Sequence, residues 1–442
     1  MAQLGRSNAA LSEKKRVESP TAENVRAASN GRPSSSFNEG PGAVTQFDRW
    51  LVRSLMRAIG KPPIAVALWD DQAAYQSDAS IVASITIRDR VTLLKLLASP
   101  NYQFGEGYSK GLIDVDGDLV RLCETVYQSL PQSGKFSEWW RRLRVRGKSS
   151  KSAARRNIHH HYDLGNEFYR RWLDEQLLYT CAYFTEPDIS LEAAQIAKMD
   201  LVCRKLSLHQ GQQVVDAGCG WGALALHMAR KYGARVRAYN ISHEQIAYAR
   251  GWARREGLDD RVQFIEDDWR TITGEYDAFV SVGMLEHVGS ENYRKLGEVI
   301  HRSLREHGLG LIHTIGRNVA LPLDSWIERR IFPGACPPSL RQMMDIFEDQ
   351  RYSVLDVENL RLHYAQTLRH WLDRFEEHVD LFRQMYSESF VRAWRLYLAG
   401  SVAAFTCGTL QLFQLVFAHP QNNHIPWTRR RLFGSEESTV GA

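Results

Sequence analysis

The sequence predicts an α/β fold in which a doubly wound, mostly parallel sheet follows a small N-terminal domain. Three observations lead to this prediction. From residue 157 onward, apolar strand-like runs alternate with helical patterns, which is typical of βαβ units. One of these runs, residues 213–217, passes through a glycine-rich turn directly into a helical pattern at 223–232. A chain of 442 residues is also long enough to hold two or three domains.

The N-terminal part divides into a tail and a first globular unit. Residues 1–45 are rich in Ser, Asn, Ala, Gly and charge and contain almost no large apolar residues, so we expect a disordered tail. Residues 46–135 have amphipathic helix patterns at 45–59 and 88–99 and a short strand-like run at 64–69. No group of side chains in this unit resembles a catalytic cluster.

A basic linker, residues 136–156, separates the two parts. Trp139 and Trp140 precede a run of basic residues with no acid among them: Arg141, Arg142, Arg144, Arg146, Lys148, Lys151, Arg155 and Arg156. Paired indoles beside such a run could dock on anionic lipid headgroups, where each basic residue contributes about 1 kcal/mol. The same run could follow a phosphate backbone or could be a solvated tether.

The α/β part extends over residues 157–425, and a C-terminal tail occupies 426–442. Its strand-like runs are 213–217, 235–240, 262–266, 276–282 and 308–314. Residues 320–405 have mostly helical patterns and are rich in Trp, Phe, Arg and Leu. We expect the apolar run at 410–417 to return to the sheet as a late strand.

The composition is ordinary for a soluble globular protein, with a modest net charge of +5. The cysteines are scattered without CxxC pairs, at Cys123, Cys181, Cys203, Cys219, Cys336 and Cys407. This spacing argues against a zinc site or a disulfide scaffold and favours a reducing compartment. No apolar run approaches the ~20 residues of a spanning helix, and no secretory signal is recognisable.

The glycine-rich turn predicts a cofactor site. Asp216 ends a strand-like run, and Gly218, Gly220 and Gly222 follow at alternate positions. Such glycines let the backbone approach a ligand at the carboxyl edge of a sheet, beside the free N–H groups of a helix N-terminus. An acid before the first glycine would repel a pyrophosphate but can meet the cationic amino-acid end of S-adenosylmethionine. Taken alone, the motif is also compatible with any tight strand–helix turn.

Several segments together resemble the family of cyclopropane-fatty-acyl-phospholipid synthases and mycolic acid cyclopropane synthases. These segments are 161–169, 178–184, 214–222, 286–289, 313–316 and 326–342, and 105–118 is similar to the family's N-terminal domain. The resemblance covers roughly 46–420. It implies a Rossmann-like class I methyltransferase sheet with a helical acyl-chain cover at about 320–405. It also implies that the N-terminal domain is associated with lipid or membrane.

The resemblance implies a chemistry as well. A methyl(ene) group passes from S-adenosylmethionine to the cis double bond of an unsaturated phospholipid acyl chain. The resulting carbocation loses a proton to a bound bicarbonate, and a cyclopropane ring closes. In the family, the bicarbonate is surrounded by residues that match Cys181, Glu286, His313, the backbone of Ile315, and Tyr364. Considered alone, Cys181 could be inert packing, His313 a core histidine and Tyr364 a tyrosine on a helix surface.

The cofactor contacts follow from the same resemblance. Asp216 and the three glycines, Gly218, Gly220 and Gly222, would frame the methionine part. The remaining contacts would be Tyr179 and Thr180 over the methionine end, Asn240, Ser242 and Gln245 at the ribose, and Asp268 and Trp269 beside the adenine. Most methyltransferases of this fold have an acid where this chain has Asn240. Many relatives have a late cysteine where this chain has Ser401, so we expect no covalent role for a late thiol.

Other functions are weighed against this one. A related enzyme could convert the same carbocation into a methylene- or methyl-branched chain. A nucleic-acid-binding protein would use the basic linker, but no helix-turn-helix or aromatic platform accompanies it. A non-enzymatic membrane-binding protein would leave the glycine-rich turn unexplained. We therefore expect an enzyme in the cytoplasm, peripherally bound to the inner face of the membrane. Its expected partners are unsaturated phospholipids, not nucleic acid, and it could pair as a homodimer.

Overall fold

The computed structural model describes residues 42–129 and 164–433. Most of the predicted tail at 1–45 lies outside these residues, and so do the basic linker at 136–156 and residues 434–442. The predictions made for those segments stay predictions.

The N-terminal part is a four-stranded sheet with helices packed on it. Its elements are α1 (Gln46–Ala58), β1 (Ala65–Ala67), β2 (Ala73–Gln76), β3 (Ala83–Ile87), α2 (Arg90–Ala98), α3 (Pro100–Ser109), β4 (Ile113–Gly117) and α4 (Leu119–Ser129). The strand order is β2-β1-β3-β4, with β1 and β3 parallel and the other pairs antiparallel. Thr45 and Asp48 begin α1 with reciprocal side-chain hydrogen bonds, so the helix starts within one residue of the predicted boundary.

The second part is a seven-stranded sheet in the order β10-β11-β9-β8-β5-β6-β7. Its strands are β5 (Gln213–Ala217), β6 (Arg235–Asn240), β7 (Val262–Glu266), β8 (Tyr276–Val282), β9 (Leu304–Gly316), β10 (Ser353–Asn359) and β11 (Gln411–Ala418). Six of these strands run in the same direction, and β11 runs in the opposite direction between β10 and β9. The strand order reverses between β5 and β8, which creates a crevice at the carboxyl ends of the parallel strands.

Ten helices accompany this sheet in the described residues. They are α5 (Asn166–Arg170), α6 (Leu191–Lys205), α7 (Ala223–Tyr232), α8 (His243–Arg255), α9 (Tyr293–Ser303), α10 (Ser325–Arg330), α11 (Leu340–Met343), α12 (Arg361–Glu377), α13 (Val379–Met385) and α14 (Glu388–Thr406). Short 3-10 turns follow β7 at Trp269–Thr271 and β8 at Leu285–His287.

The strand predictions hold well for the buried parallel strands. The strands β5 to β8 have the predicted boundaries, and β11 lies one residue later than 410–417. Strand β9 is longer than the predicted 308–314, because its first residue pairs with Tyr276 and its last pairs with Gln411. The prediction for 320–405 missed β10. This edge strand is half exposed and its sequence mixes polar and apolar residues, so it has no clear period.

The N-terminal part docks on the helices that follow residue 320. Arg392 of α14 donates to the carbonyl oxygens of Tyr108 and Ile113 at 2.6 and 2.9 Å. The Arg330 guanidinium pairs with the Glu106 carboxylate. At Gly105, an added Cβ would lie 2.4 Å from the Trp326 indole, so only glycine allows α3 to approach α10 this closely. These contacts close a large cavity between the two parts.

Candidate active site

A first cavity lies at the carboxyl ends of β5, β6 and β8, and we call it the strand-end cavity. The turn after β5 forms one wall, with φ angles of +93°, +55° and +93° at Gly218, Gly220 and Gly222. These angles favour glycine. A Cβ added to Gly220 would meet no atom within 4 Å, although Gly220 lines the cavity. The backbone here is therefore open to a closely approaching ligand.

Asp216 forms the floor of the strand-end cavity. Its carboxyl group is buried, and among the residues that the structure describes its Oδ2 has no hydrogen-bond partner. Burial raises the pKa of Asp216 to about 7, although the nearby positive charge of Lys198 lowers it in part. A buried carboxylate with a free oxygen can be stabilised by a cationic ligand. The ammonium group of S-adenosylmethionine fits this requirement.

Lys198 is a residue of this cavity that sequence reasoning missed. It lies on α6, is fully buried, and donates from Nζ to Thr180 Oγ1 at 2.9 Å. Burial lowers the pKa of Lys198 to about 8, against the opposing negative charges of Asp174 and Asp216. A lysine in a helical pattern is normally expected on the exposed face of the helix. Lys198 shares its helix face with Ala194, Leu201 and Val202, and this apolar pattern was the available sign that the face is buried.

The next strand ends contribute four predicted residues and one, Arg270, that was not predicted. Asn240 donates from Nδ2 to Gln245 Oε1 at 2.7 Å, so the two amides form one unit at the end of β6. Arg270 donates to both carboxylate oxygens of Asp268 at 2.9 and 3.0 Å, and its guanidinium stacks 4.5 Å from the centre of the Trp269 ring. All five residues line the strand-end cavity. Their donors, acceptors and ring could contact a ribose and an adenine.

Two predicted cofactor residues do not line the cavity. A Cβ at Gly222 would lie 2.7 Å from the Phe264 ring and 2.9 Å from Ala249, so this glycine permits close packing of a helix on the sheet. Ser242 is the N-cap of α8, and its Oγ accepts from Gln245 N at 3.4 Å. Both residues therefore shape neighbouring elements in this structure, and their contact with the cofactor stays a prediction.

A second cavity, which we call the large cavity, has a volume of about 1300 Å³. It shares four wall residues with the strand-end cavity: Tyr179, Thr180, Gly283 and His287. A methyl donor in the first cavity and an acyl chain in the second would meet at this junction. The five residues predicted to surround bicarbonate all line the large cavity, and we call them the Glu286 cluster: Cys181, Glu286, His313, Ile315 and Tyr364.

Glu286 is held by the backbone of β9. It lies in the 3-10 turn after β8, and its Oε1 accepts from Ile315 N at 2.5 Å. Its Oε2 is buried and has no hydrogen-bond partner within the described residues. Burial raises the pKa of Glu286 to about 7. The Ile315 N–H thus acts on the site through Glu286, and the second carboxylate oxygen stays available to a donor.

A relay of buried side chains sets the tautomer of His313. Gln414 of β11 lies directly opposite His313 of β9 in the strand register. The Lys205 ammonium donates to Gln414 Oε1 at 2.7 Å, and this orients the amide so that Gln414 Nε2 faces His313 Nδ1 at 2.9 Å. An amide nitrogen can only donate, so Nδ1 is the acceptor and Nε2 carries the hydrogen. Burial holds the pKa of His313 well below its ordinary value, so the ring is neutral.

The resulting Nε2–H of His313 is buried and has no hydrogen-bond partner in the described part of the chain. The cluster therefore presents one free donor, at His313, and one free acceptor, at Glu286 Oε2. A small oxyanion that also carries an O–H group satisfies both atoms, and bicarbonate has this chemistry. The residues present fit that group.

Cys181 and Tyr364 complete the wall. The Cys181 thiol is buried with its Sγ 3.1 Å from Ala182 O, and burial raises its pKa far above the ordinary value. A neutral buried thiol is a poor nucleophile. The Tyr364 ring is held between Phe405, at 4.6 Å between ring centres, and Trp371, at 5.9 Å. Ser401, which replaces the late cysteine of many relatives, also lines the large cavity.

His287 is a second residue that sequence reasoning missed. It stands at the junction of the two cavities, and loss of solvation lowers its pKa to about 4. The ring is therefore neutral near pH 7 and adds no charge to the junction. Its place directly after Glu286 in the segment 286–289 was the only indication in the sequence.

Comparison with known proteins agrees with this geometry. Residues 149–415 match the family model described as mycolic acid cyclopropane synthetase, and residues 51–134 match a model described as a domain of unknown function. The chain is 34% identical over 385 residues to a probable fatty acid methyltransferase of Pseudomonas putida, a match that covers 84% of this chain and 96% of that protein. The chain belongs to the mycolic acid cyclopropane synthetase family.

Two further relatives place the chain within the family. It is 36% identical over 357 residues to the cyclopropane-fatty-acyl-phospholipid synthase of Escherichia coli (strain K12), covering 80% of this chain and 92% of that protein. The solved structure of mycolic acid cyclopropane synthase CmaA1 complexed with SAH and CTAB is 30% identical in sequence, with a TM-score of 0.57. This match covers 60% of this chain and 97% of the CmaA1 chain. Like other members, the chain is an S-adenosylmethionine-dependent methyltransferase that acts on lipid acyl chains.

Proposed function

We propose that this enzyme converts the cis double bond of an unsaturated phospholipid acyl chain into a cyclopropane, with bound bicarbonate as the base. The observation that carries this proposal is the pair of complementary free atoms in the Glu286 cluster, His313 Nε2–H and Glu286 Oε2. The relative named cyclopropane-fatty-acyl-phospholipid synthase, which matches both parts of the chain, supports the choice of substrate.

The chain's own residues would divide the work between the two cavities. Asp216 and Lys198 would hold the charged ends of the methionine part, so that the methyl group faces the junction. When bound, bicarbonate supplies the base that takes the proton from the newly added methyl. His313 would donate to this anion, and ionised Glu286 would accept its O–H group. The apolar walls of the large cavity would keep water away from the carbocation, which water would otherwise capture.

A second product class has specific support. The Pseudomonas putida relative is named a probable fatty acid methyltransferase, and it matches 84% of this chain. Such an enzyme would give a methylene- or methyl-branched chain from the same carbocation. The pair of free atoms in the Glu286 cluster favours the cyclopropane, because a base held beside the new methyl removes its proton before a hydride can shift.

We further propose that the enzyme works in the cytoplasm, at the inner surface of the membrane. On α1, Phe47 and Trp50 are 62% and 54% exposed, and their rings stack at 5.7 Å. The same helix carries Arg49, Arg53 and Arg57. Exposed aromatics beside basic residues favour the interface of an anionic bilayer. Among the described residues, no helix is long and apolar enough to cross a bilayer.

The test is product identification in defined conditions. The purified protein is incubated with methyl-labelled S-adenosylmethionine and vesicles of an unsaturated phosphatidylglycerol, and the fatty acyl products are separated and identified. We expect cyclopropane chains, loss of turnover in carbonate-depleted buffer, and recovery when bicarbonate is added. We also expect Glu286→Ala and Tyr364→Phe to lose turnover but to keep cofactor binding. Full activity without carbonate would contradict the role of bicarbonate, and branched products would establish the second class.

A further inference from the structure

The large cavity extends past the Glu286 cluster into the N-terminal domain. That end is lined from three sides by aliphatic side chains: Val52 and Met56 of α1, Val66 and Ile85 of the sheet, and Leu122 and Val126 of α4. The six residues include no charged or hydrogen-bonding side chain. A cavity wall of this kind suits hydrocarbon and no polar ligand.

The large cavity is larger than a typical pocket for one small ligand. Pockets that enclose a drug-sized ligand measure about 300–1000 Å³, whereas the large cavity measures about 1300 Å³. The catalytic part already supplies an apolar wall beside the cluster, through Leu368, Leu396 and Phe405. The CmaA1 structure covers 60% of this chain, and the aliphatic end belongs to the region matched by a separate domain model. The N-terminal end is therefore additional space.

The large cavity reaches the surface of the protein. Val319 and Leu321 line the cavity and are 59% and 42% exposed, so the cavity meets the surface beside them. The segment that follows packs on the N-terminal domain, where Trp326 contacts Gly105. A lipid that enters here reaches a cavity that both the Glu286 cluster and the aliphatic end line.

We infer that the N-terminal domain binds the second, non-reacting acyl chain of a diacyl phospholipid while the unsaturated chain lies at the Glu286 cluster. This inference rests on the proposed phospholipid substrate. The physical reason is the cost of exposing hydrocarbon to water, which grows with each methylene. A lipid withdrawn far enough to bring its double bond to a buried site exposes its other chain unless the protein covers that chain as well.

Photolabelling tests this inference without turnover. The probe is a phosphatidylglycerol with a cis-monounsaturated chain and a diazirine at the end of its saturated chain, offered to the full-length protein with S-adenosylhomocysteine. We expect adducts in peptides from residues 51–129. A matched lipid with the diazirine on the unsaturated chain should label residues 164–433 instead. Labelling of 164–433 alone by the first probe would overturn the inference.

The two proposals fail in different ways. If the unlabelled lipid is cyclopropanated but the saturated-chain probe never labels 51–129, the inference is wrong and the proposed function stands. If the probe labels 51–129 but no lipid is converted, the proposed function is wrong.

A filled cavity provides the second measurement. Val126→Trp places a large ring at the aliphatic end, and Arg121→Trp, on the exposed side of α4 and away from the cavity, is the matched control. Diacyl and lyso forms of the same unsaturated lipid are compared in neutral mixed micelles. We expect Val126→Trp to lower kcat/KM for the diacyl lipid about tenfold or more and to spare the lyso form. An equal loss for both lipids in a folded variant would contradict the inference. If Val126→Trp does not fold, the smaller change Leu55→Phe, at another half-buried wall residue, takes its place.

Discussion

Replacing Gln414 by Glu should disable the active site by reversing the tautomer of His313. In the native chain Gln414 Nε2 lies 2.9 Å from His313 Nδ1, and the hydrogen of the ring is therefore on Nε2. A carboxylate at position 414 can only accept, so it requires a hydrogen on Nδ1. A neutral ring then directs the lone pair of Nε2 toward the proposed bicarbonate site. A stabilising donor becomes a repulsive acceptor, although no atom of the site itself has been changed.

The expected loss is large. Removing one donor from a preorganised site that binds a negative charge costs about 2.7–4 kcal/mol, or a factor of about 10²–10³ in kcat. The new carboxylate would also favour the doubly protonated ring, which recovers the donor at Nε2. The activity of Gln414→Glu relative to the native protein should therefore rise as the pH falls. Glu286 and Asp216 titrate in both proteins alike, whereas burial holds the pKa of native His313 well below the ordinary value, so that ring gains no donor.

The assay combines a pH–rate profile with ¹⁵N NMR of histidine, which distinguishes the two neutral tautomers. Gln411→Glu is the matched control, because it puts the same charge on the same strand at a residue bonded to Asn359 and Gly408 and not to His313. We expect the control to keep its native tautomer and a native-like profile. Native activity in Gln414→Glu with the hydrogen still on Nε2 would refute the reasoning.

Three further outcomes are expected. Gly220→Val should abolish S-adenosylmethionine binding, measured by calorimetry, because the valine side chain would occupy open cavity space at a positive φ. The circular dichroism spectrum should stay unchanged. Unchanged cofactor affinity would exclude this turn as the cofactor site. Cofactor affinity should weaken as the pH falls through about 7, where the Asp216 carboxylate becomes protonated and loses its attraction for a cation. Asp216→Asn should bind the cofactor weakly and without this pH dependence. A native-like pH dependence in that variant would show that another group titrates. The double change Phe47→Ala and Trp50→Ala should weaken co-sedimentation with anionic vesicles. The control Trp427→Ala, at an indole that is 97% exposed, should not. Equal losses in both variants would argue against a specific role for α1.

Much of the sheet could be predicted from local patterns. The strands β5 and β8 are largely buried on both faces and appear as short apolar runs, whereas β6 and β7 show apolar residues at alternate positions; in both cases the ends of the pattern coincide with the strand ends. The turn after β5 could be predicted because three positive φ angles at alternate positions require glycine. The edge strand β10 was missed, since a half-exposed strand with mixed polarity has no such pattern.

The predicted residues of the Glu286 cluster were taken from matching segments, and in the structure all five line the large cavity. Sequence by itself determined which residue types occupy those segments. It could not determine the orientation of Glu286, which depends on a hydrogen bond to the backbone of β9.

Only the tertiary structure decided the features that depend on contacts between distant segments. The tautomer of His313 depends on Gln414, which lies 101 residues later in the chain. The orientation of Gln414 depends in turn on Lys205, which lies 209 residues before it. Likewise, the aliphatic end of the large cavity exists because an N-terminal sheet docks against helices that follow residue 320. Periodicity and turn chemistry describe neighbours along the chain, whereas the proton position of a buried ring and the reach of a cavity are set by neighbours in space.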